Sequence, residues 1–119
     1  MKYKKTLIIA EAGVNHNGSI DIAIDLINTA SDCGADIVKF QTFKTNDLIL
    51  ENTKKTEYQI KNTGSNTSQF EMLKSLEMND LMHEKIVNHC LKKNIEFLST
   101  AFDIHTLEYL FKLGIKRVK

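Results

Sequence analysis

The stretch Ile8-Ile9-Ala10-Glu11-Ala12-Gly13-Val14-Asn15-His16-Asn17-Gly18-Ser19 decides how the rest of this 119-residue chain is read. Thr6 to Ala12 is a short, nearly continuous apolar run, as expected of a strand buried on both faces. It delivers a carboxylate, an imidazole and two amides into a glycine-flanked turn. A helix follows at once: Ser19 or Asp21 can cap it, and Ala23, Leu26, Ile27 and Ala30 recur at the spacing of one helical face. Polar groups gathered at the C-terminal end of a buried strand are where α/β enzymes carry out their chemistry.

Outward from that unit the alternation repeats. Gly34 suits the position just past a helix end, and Ile37-Val38-Lys39-Phe40-Gln41 reads as a second strand. Residues 43–78 are polar and rich in Asn, Thr, Lys and Ser, with a short helix expected around Ser68 to Leu76. A connection of that length is either functional or disordered. Asn79 can cap a further helix with Met82, Ile86, Val87 and Cys90 on its apolar face, and Asn94 can stop it. Glu96 to Thr100 is a third strand, His105 to Leu113 a third major helix ended by Gly114, and Ile115 to Lys119 a fourth strand.

The order βαβαβαβ implies parallel strands joined by helical crossovers. Four strands and three major helices amount to half of a (β/α)8 TIM barrel, an α/β fold that typically needs ~250 residues. A small open α/β sheet is the alternative. A chain that stops inside a strand leaves that strand's far edge unpaired. Residues 1–119 are therefore expected to be the N-terminal half of a barrel, an incomplete domain.

Composition narrows the class. The chain is 42% hydrophobic and 26% charged with a net charge of +1, a globular balance without a block of one sign. Lys54-Lys55 and Lys92-Lys93 are only pairs, and no basic stripe interleaved with aromatics occurs, so no nucleic-acid partner is expected. No apolar run approaches the ~20 residues of a membrane span. Leu7 to Ala10 is shorter than the ~7–15-residue core of a signal peptide. No membrane partner is expected, and the cytoplasm is the expected location. Cys33 and Cys90 lack metal-ligand spacing and read as buried or half-buried free thiols.

Sorted by strand, the polar residues fall into a pattern. Glu11 lies in strand one, Lys39 and Gln41 two apart on one face of strand two, Ser99 and Thr100 at the end of strand three, and Lys119 in strand four. In a parallel barrel these could converge at the C-terminal mouth. Two lysines and small hydroxyls beside turn amides suit a phosphate or carboxylate, and a carboxylate among them could handle a proton or a sugar hydroxyl. Taken singly, each has a plainer reading. Glu11 and Lys39 could be only an ion pair, and Val38 to Gln41 an edge strand with a wet face. Asn15 and Asn17 could simply tolerate left-handed geometry, and His16 could stabilise the turn. The Asn62-Thr63-Gly64-Ser65 turn could be punctuation or a substrate loop. His83, His89 and His105 fall on helices and read as surface or packing residues.

The same residues resemble the sialic acid synthase family, which comprises N-acetylneuraminate synthase and its legionaminate relatives. The matching pieces are Ile9 to Gly18, Gly34 to Phe43, Asn62 to Ser65, Gln69 to Leu76 and Glu96 to Asp103, several ordered motifs spread over essentially the whole chain. The resemblance implies condensation of phosphoenolpyruvate with an open-chain N-acyl amino-sugar such as N-acetylmannosamine, releasing phosphate, with Mn2+ or Mg2+ as the divalent cation. It implies phosphoenolpyruvate contacts at Lys39, Thr100 and Lys119; Ser99 at its strand end and Asn15 in the turn are expected to line the substrate site beside them. Glu11 would stand beside the reacting centre and Gln41 against the sugar.

Two departures stand out. Ala101 occupies a position where the family usually has Pro. The family's two metal-binding His lie further along the barrel, as do a Ser-Gly-Glu following the Lys119 position and a C-terminal antifreeze-like domain that reaches into the partner's site in the homodimer. No metal ligand is therefore assigned in this chain, and the isolated chain is expected to be inactive. An aldolase-like lyase and a phosphate- or sugar-binding module without turnover remain the competing readings.

Overall fold

A computed structural model describes residues 5–48 and 68–119, so the Lys54-Lys55 pair and the Asn62 to Ser65 turn lie outside the described residues. The described elements are β1 (Ile9–Gly13), α1 (Ile20–Asp32), β2 (Ile37–Thr42), α2 (Thr45–Leu48), α3 (Gln69–Leu76), α4 (Asp80–Lys93), β3 (Glu96–Ala101) and α5 (Ile104–Lys112). The strands are parallel, in the order β1-β2-β3.

Local sequence sets the helix ends. Ser19, Ser68, Asn79 and Asp103 cap α1, α3, α4 and α5, each accepting a main-chain N–H from the first turn. Ser68 and Glu71 form a reciprocal capping box. Helices α1, α4 and α5 end alike. Beyond α1, the Ala35 and Gly34 amides donate to the carbonyls of Ala30 and Ser31; Ile95 and Asn94 do so beyond α4, and Ile115 and Gly114 beyond α5. This double closure satisfies the last carbonyls and needs a left-handed residue in the middle, which Gly34, Asn94 and Gly114 supply.

Helices α1, α4 and α5 cover one face of the sheet. Val38, Phe40 and Phe97 meet Ala23, Ile27 and Ala30 of α1, Met82, Ile86 and Cys90 of α4, and Leu110 of α5 in one buried cluster. Alternation sends Lys39, Gln41, Leu98 and Thr100 to the opposite face.

Outside this cluster Glu77 makes a second tie. Its carboxylate accepts the Thr45 amide at 3.1 Å and hydroxyl at 3.0 Å, and pairs with Lys74 at 3.1 Å. Burial pushes its pKa up, but the Thr45 amide and the other donors outweigh that, and the net shift is downward. The carboxylate thus joins the start of α2 to the end of α3.

Several expectations are corrected. The first strand begins at Ile9 rather than Thr6. Ile8 is held instead by Asp36, whose carboxylate takes the Ile8 amide at 3.0 Å; that amide and Lys5 hold the Asp36 pKa down. Nor is β1 buried on both faces, since Ile8 and Ile9 are 55% and 46% exposed. It is the outermost strand of the described sheet, and of its apolar run only Ala10 and Ala12 pack against the helix-side cluster. Ile115 to Lys119 do not form a fourth strand. Ile115 is buried and Arg117 grips Glu96 at 2.7 Å, so the segment returns toward β3 by its side chains. It lacks the main-chain ladder that defines a strand. The thiol of Cys33, at the α1 C-cap, is exposed, whereas Cys90 is buried, which pushes its pKa up to about 12. The short helix α2 lies in the stretch read as loop.

Candidate active site

Strand alternation builds the centre of the site. Glu11 of β1 pairs in register with Lys39 of β2, and Gln41 of β2 with Thr100 of β3. All four belong to the face away from the helices. Lys39 is 4% exposed. Its Nζ lies 2.8 Å from Glu11 Oε2 and donates at 3.2 Å to Thr100 Oγ1. A buried ammonium is costly unless paired and hydrogen-bonded, and here one carboxylate and one hydroxyl meet that need.

The β1 register shifts between Glu11 and Gly13, which inserts Ala12 as an extra residue and bends the strand end. A Cβ on Gly13 would lie 3.5 Å from Glu11 Oε1 and 3.7 Å from Gln41 Nε2, so those two side chains flank the bend. The ammonium has three donors, and two are engaged. The Glu11 side chain is 55% exposed, so an incoming carboxylate or phosphate could displace it from the lysine.

Not every candidate joins this group. Ser99 pairs in register with Phe40 and lies on the helix-facing side, where its Oγ is 2.7 Å from Thr42 Oγ1. Asn15 is exposed in the turn after β1, with its amide donating to Ala12 at 3.0 Å. Lys119 is exposed beyond α5, in the segment that fails to form a strand. The structure brings Glu11, Lys39, Gln41 and Thr100 together and leaves Ser99, Asn15 and Lys119 apart.

His16 is fully buried. Its Nδ1 accepts the Gly18 amide at 3.0 Å, so it stabilises the turn, as its plainer reading held, and the neutral ring carries its proton on Nε2. Among the described residues no group of three or more His, Cys, Asp or Glu could hold a metal ion. These residues therefore do not fit a divalent cation by themselves.

Thr42 escaped the sequence reading, and His83 was read only as a surface or packing residue. Thr42 and His83 are buried and hydrogen-bonded to each other at 2.9 Å behind the site. A signal for them exists. His83, Ile86 and Cys90 follow the helical spacing of one buried stripe, and a hydroxyl on a helix-facing strand position requires a partner.

Burial lowers the pKa of both His16 and His83; His83 adds repulsion at His16, while the Asn79 carbonyl and Asp80 partly offset the shift at His83. The unfolded chain, with histidines near 6.5, then binds protons more readily than the folded one. Stability is expected to be full above that pH and to fall as the pH drops through it toward the folded values. Urea midpoints at pH 7.5 and 5.5 check this, and a flat profile between them would refute it.

A parallel sheet with crossover helices on one face and a lysine–carboxylate–hydroxyl centre toward its C-terminal strand ends defines the chain as an α/β protein. More particularly, the chain belongs to the NeuB family, whose model matches residues 26–119. It is 49% identical over 116 residues to the N,N'-diacetyllegionaminic acid synthase of Campylobacter jejuni, a match covering 98% of this chain and 35% of that protein. It is 46% identical over 112 residues to the enzyme of the same name from Legionella pneumophila, covering 94% and 32%. Among solved structures it resembles the N-acetylneuraminic acid (sialic acid) synthetase of Leptospira borgpetersenii, with a TM-score of 0.75 and 28% identity over 97% of this chain and 35% of that one. The chain thus spans about a third of the length of the curated relatives it matches.

Proposed function

We propose that this chain forms the first wall of a synthase that condenses phosphoenolpyruvate with an N-acyl amino-sugar aldehyde, giving a nine-carbon acidic sugar and phosphate. The observation that carries the reading is Lys39, buried, with its ammonium between Glu11 and Thr100. In this reading the carboxylate or phosphate of phosphoenolpyruvate takes over the Lys39 ammonium and the Thr100 hydroxyl. Glu11, released from the lysine, accepts a proton from a sugar hydroxyl or from water. Gln41, flanking the same bend, offers an amide to the sugar. Lys119 and Ser99 would contribute only after a rearrangement of β3 and the segment beyond α5. The divalent cation that the resemblance implies finds no fit among the described residues.

The barrel is part of the same proposal. Strands in sequence order with all crossover helices on one face suit a closing (β/α)8 wall, whereas a doubly wound sheet has helices on both faces. Residues 1–119 would then be the N-terminal half of that barrel, within a homodimeric protein. The higher identity to two N,N'-diacetyllegionaminic acid synthases than to the mouse N-acetylneuraminate-9-phosphate synthase, 49% and 46% against 34%, favours a legionaminate-type product over neuraminate.

A chimera tests the reading. Residues 1–119 replace the matching segment of the Campylobacter relative, and phosphate release is followed with phosphoenolpyruvate and either N-acetylmannosamine or a doubly N-acetylated hexose. Turnover with preference for the doubly acetylated sugar is expected. A folded chimera inert with both sugars would sink the proposal.

A further inference from the structure

On the helix-facing side of the sheet, behind Gln41 and Thr100, a run of buried hydrogen bonds joins both strands to α4. Ser99 Oγ is 2.7 Å from Thr42 Oγ1, which is 2.9 Å from His83 Nε2, and His83 Nδ1 is 2.9 Å from the Asn79 carbonyl oxygen. Ser99, Thr42 and His83 are 2%, 5% and 1% exposed. Valence fixes the direction of every bond. A carbonyl only accepts, so Nδ1 bears the proton; in the neutral ring Nε2 then accepts. Thr42 donates to it, and Ser99 donates to Thr42. The ring itself is held once more, because Tyr109 of α5 meets it edge-on with centroids 5.3 Å apart.

The location gives this run a consequence. Thr42 follows Gln41, and Ser99 precedes Thr100, while Gln41 and Thr100 are register partners. The Thr42–Ser99 bond is therefore a diagonal tie across the pair of residues that face the site. On the other side, Lys39 makes its own diagonal, reaching past its register partner Leu98 to Thr100. A parallel ladder repeats every two residues, so side chains rather than the ladder hold two strands at one stagger.

We propose that His83 is a positioning residue for the anion site: by accepting the Thr42 hydroxyl proton it orients Thr42 and Ser99, and so holds the ends of β2 and β3 where Thr100 Oγ1 meets Lys39 Nζ. The functional part of this rests on the reading that Lys39 and Thr100 take phosphoenolpyruvate.

Three substitutions test it on the 119-residue chain, with phosphoenolpyruvate as the probe in a 31P NMR titration and folding checked by circular dichroism. His83→Phe keeps the ring against Tyr109 and removes the acceptor. Thr42→Val keeps the shape and removes the donor. His83→Gln restores an acceptor oxygen. The expected result is binding weakened about tenfold in each of the first two, no further loss in their combination, and partial recovery in His83→Gln. In the ligand-free chain the Thr100 and Gln41 amide resonances should move in the first two variants and return toward their original positions in the third. Unchanged affinity in a folded His83→Phe or Thr42→Val chain overturns the proposal. Should His83→Phe not fold, Thr42→Val decides. If the wild-type chain binds no phosphoenolpyruvate, the functional reading fails by itself. The Thr100 and Gln41 resonances then decide the positioning role, and unmoved resonances overturn it.

Discussion

Lys39→Met is expected to abolish phosphoenolpyruvate binding while leaving the fold at least as stable as before. The two effects separate because the lysine is buried and its partner Glu11 is not: the side chains are 6% and 55% exposed. Removing a buried cation from an anion site costs on the order of 2–5 kcal/mol of binding, about 30-fold or more. For folding the balance differs. Methionine fills a similar volume without a charge to desolvate, and exchanging a buried charge for an apolar group is often neutral or stabilising. Glu11, left without its lysine, is solvated where it stands. Isothermal titration with phosphoenolpyruvate reads the first effect and a urea transition the second. Lys92→Met, on the exposed last turn of α4, is the control. Equal affinity in wild type and Lys39→Met would remove the anion site from this face of the sheet.

Gly18→Ala is the substitution expected to cost the most stability. Asn17 and Gly18 are both left-handed, with φ of 50° and 76°. An added Cβ on Gly18 would run into the Ser75 carbonyl oxygen in the last turn of α3. That carbonyl has little room to retreat, because Lys74 and Glu77 on either side of it are tied to each other and, through Glu77, to Thr45. The left-handed conformation costs ~1–2 kcal/mol for a residue with a Cβ. With the collision added, a loss of about 2–4 kcal/mol is expected. Gly34→Ala isolates the first contribution, since Gly34 has φ +79° but nothing within 4 Å of its would-be Cβ, and about 1 kcal/mol is expected there. Urea midpoints of the two variants measure the difference. Equal losses would mean that the contact with Ser75 carries nothing.

Much of the fold was legible because the signals were local. Ser68 and Glu71 announce a helix start by two hydrogen bonds spanning three residues. Gly34, Asn94 and Gly114 stop helices because the left-handed turn needs them, whatever packs around them. Period-two alternation set Lys39 and Gln41 on one face of β2, and the same rule assigns Ser99 to the other face from Thr100. Expecting both hydroxyls at one mouth overlooked that rule. The pairing of Thr42 with His83 was missed for a different reason: neither residue is informative alone, and their meaning arises from a contact across 41 residues of chain.

By itself the sequence determined three of the four expected strands, the major helices and most of their ends, and the side-chain types available at each strand end, since all of these depend on neighbours within a few residues. Only the tertiary structure decided which of those ends meet. Lys39 reaches both Glu11 and Thr100 because parallel pairing aligns three strands from distant parts of the chain, and register is a property of the assembled sheet. Burial was decided at the same level. The apolar run at Ile8 and Ile9 reads as core but is exposed, because the described sheet offers no neighbour beyond β1. His83 reads as either a surface or a packing residue, and packing is the outcome, because α4 and α5 close around it.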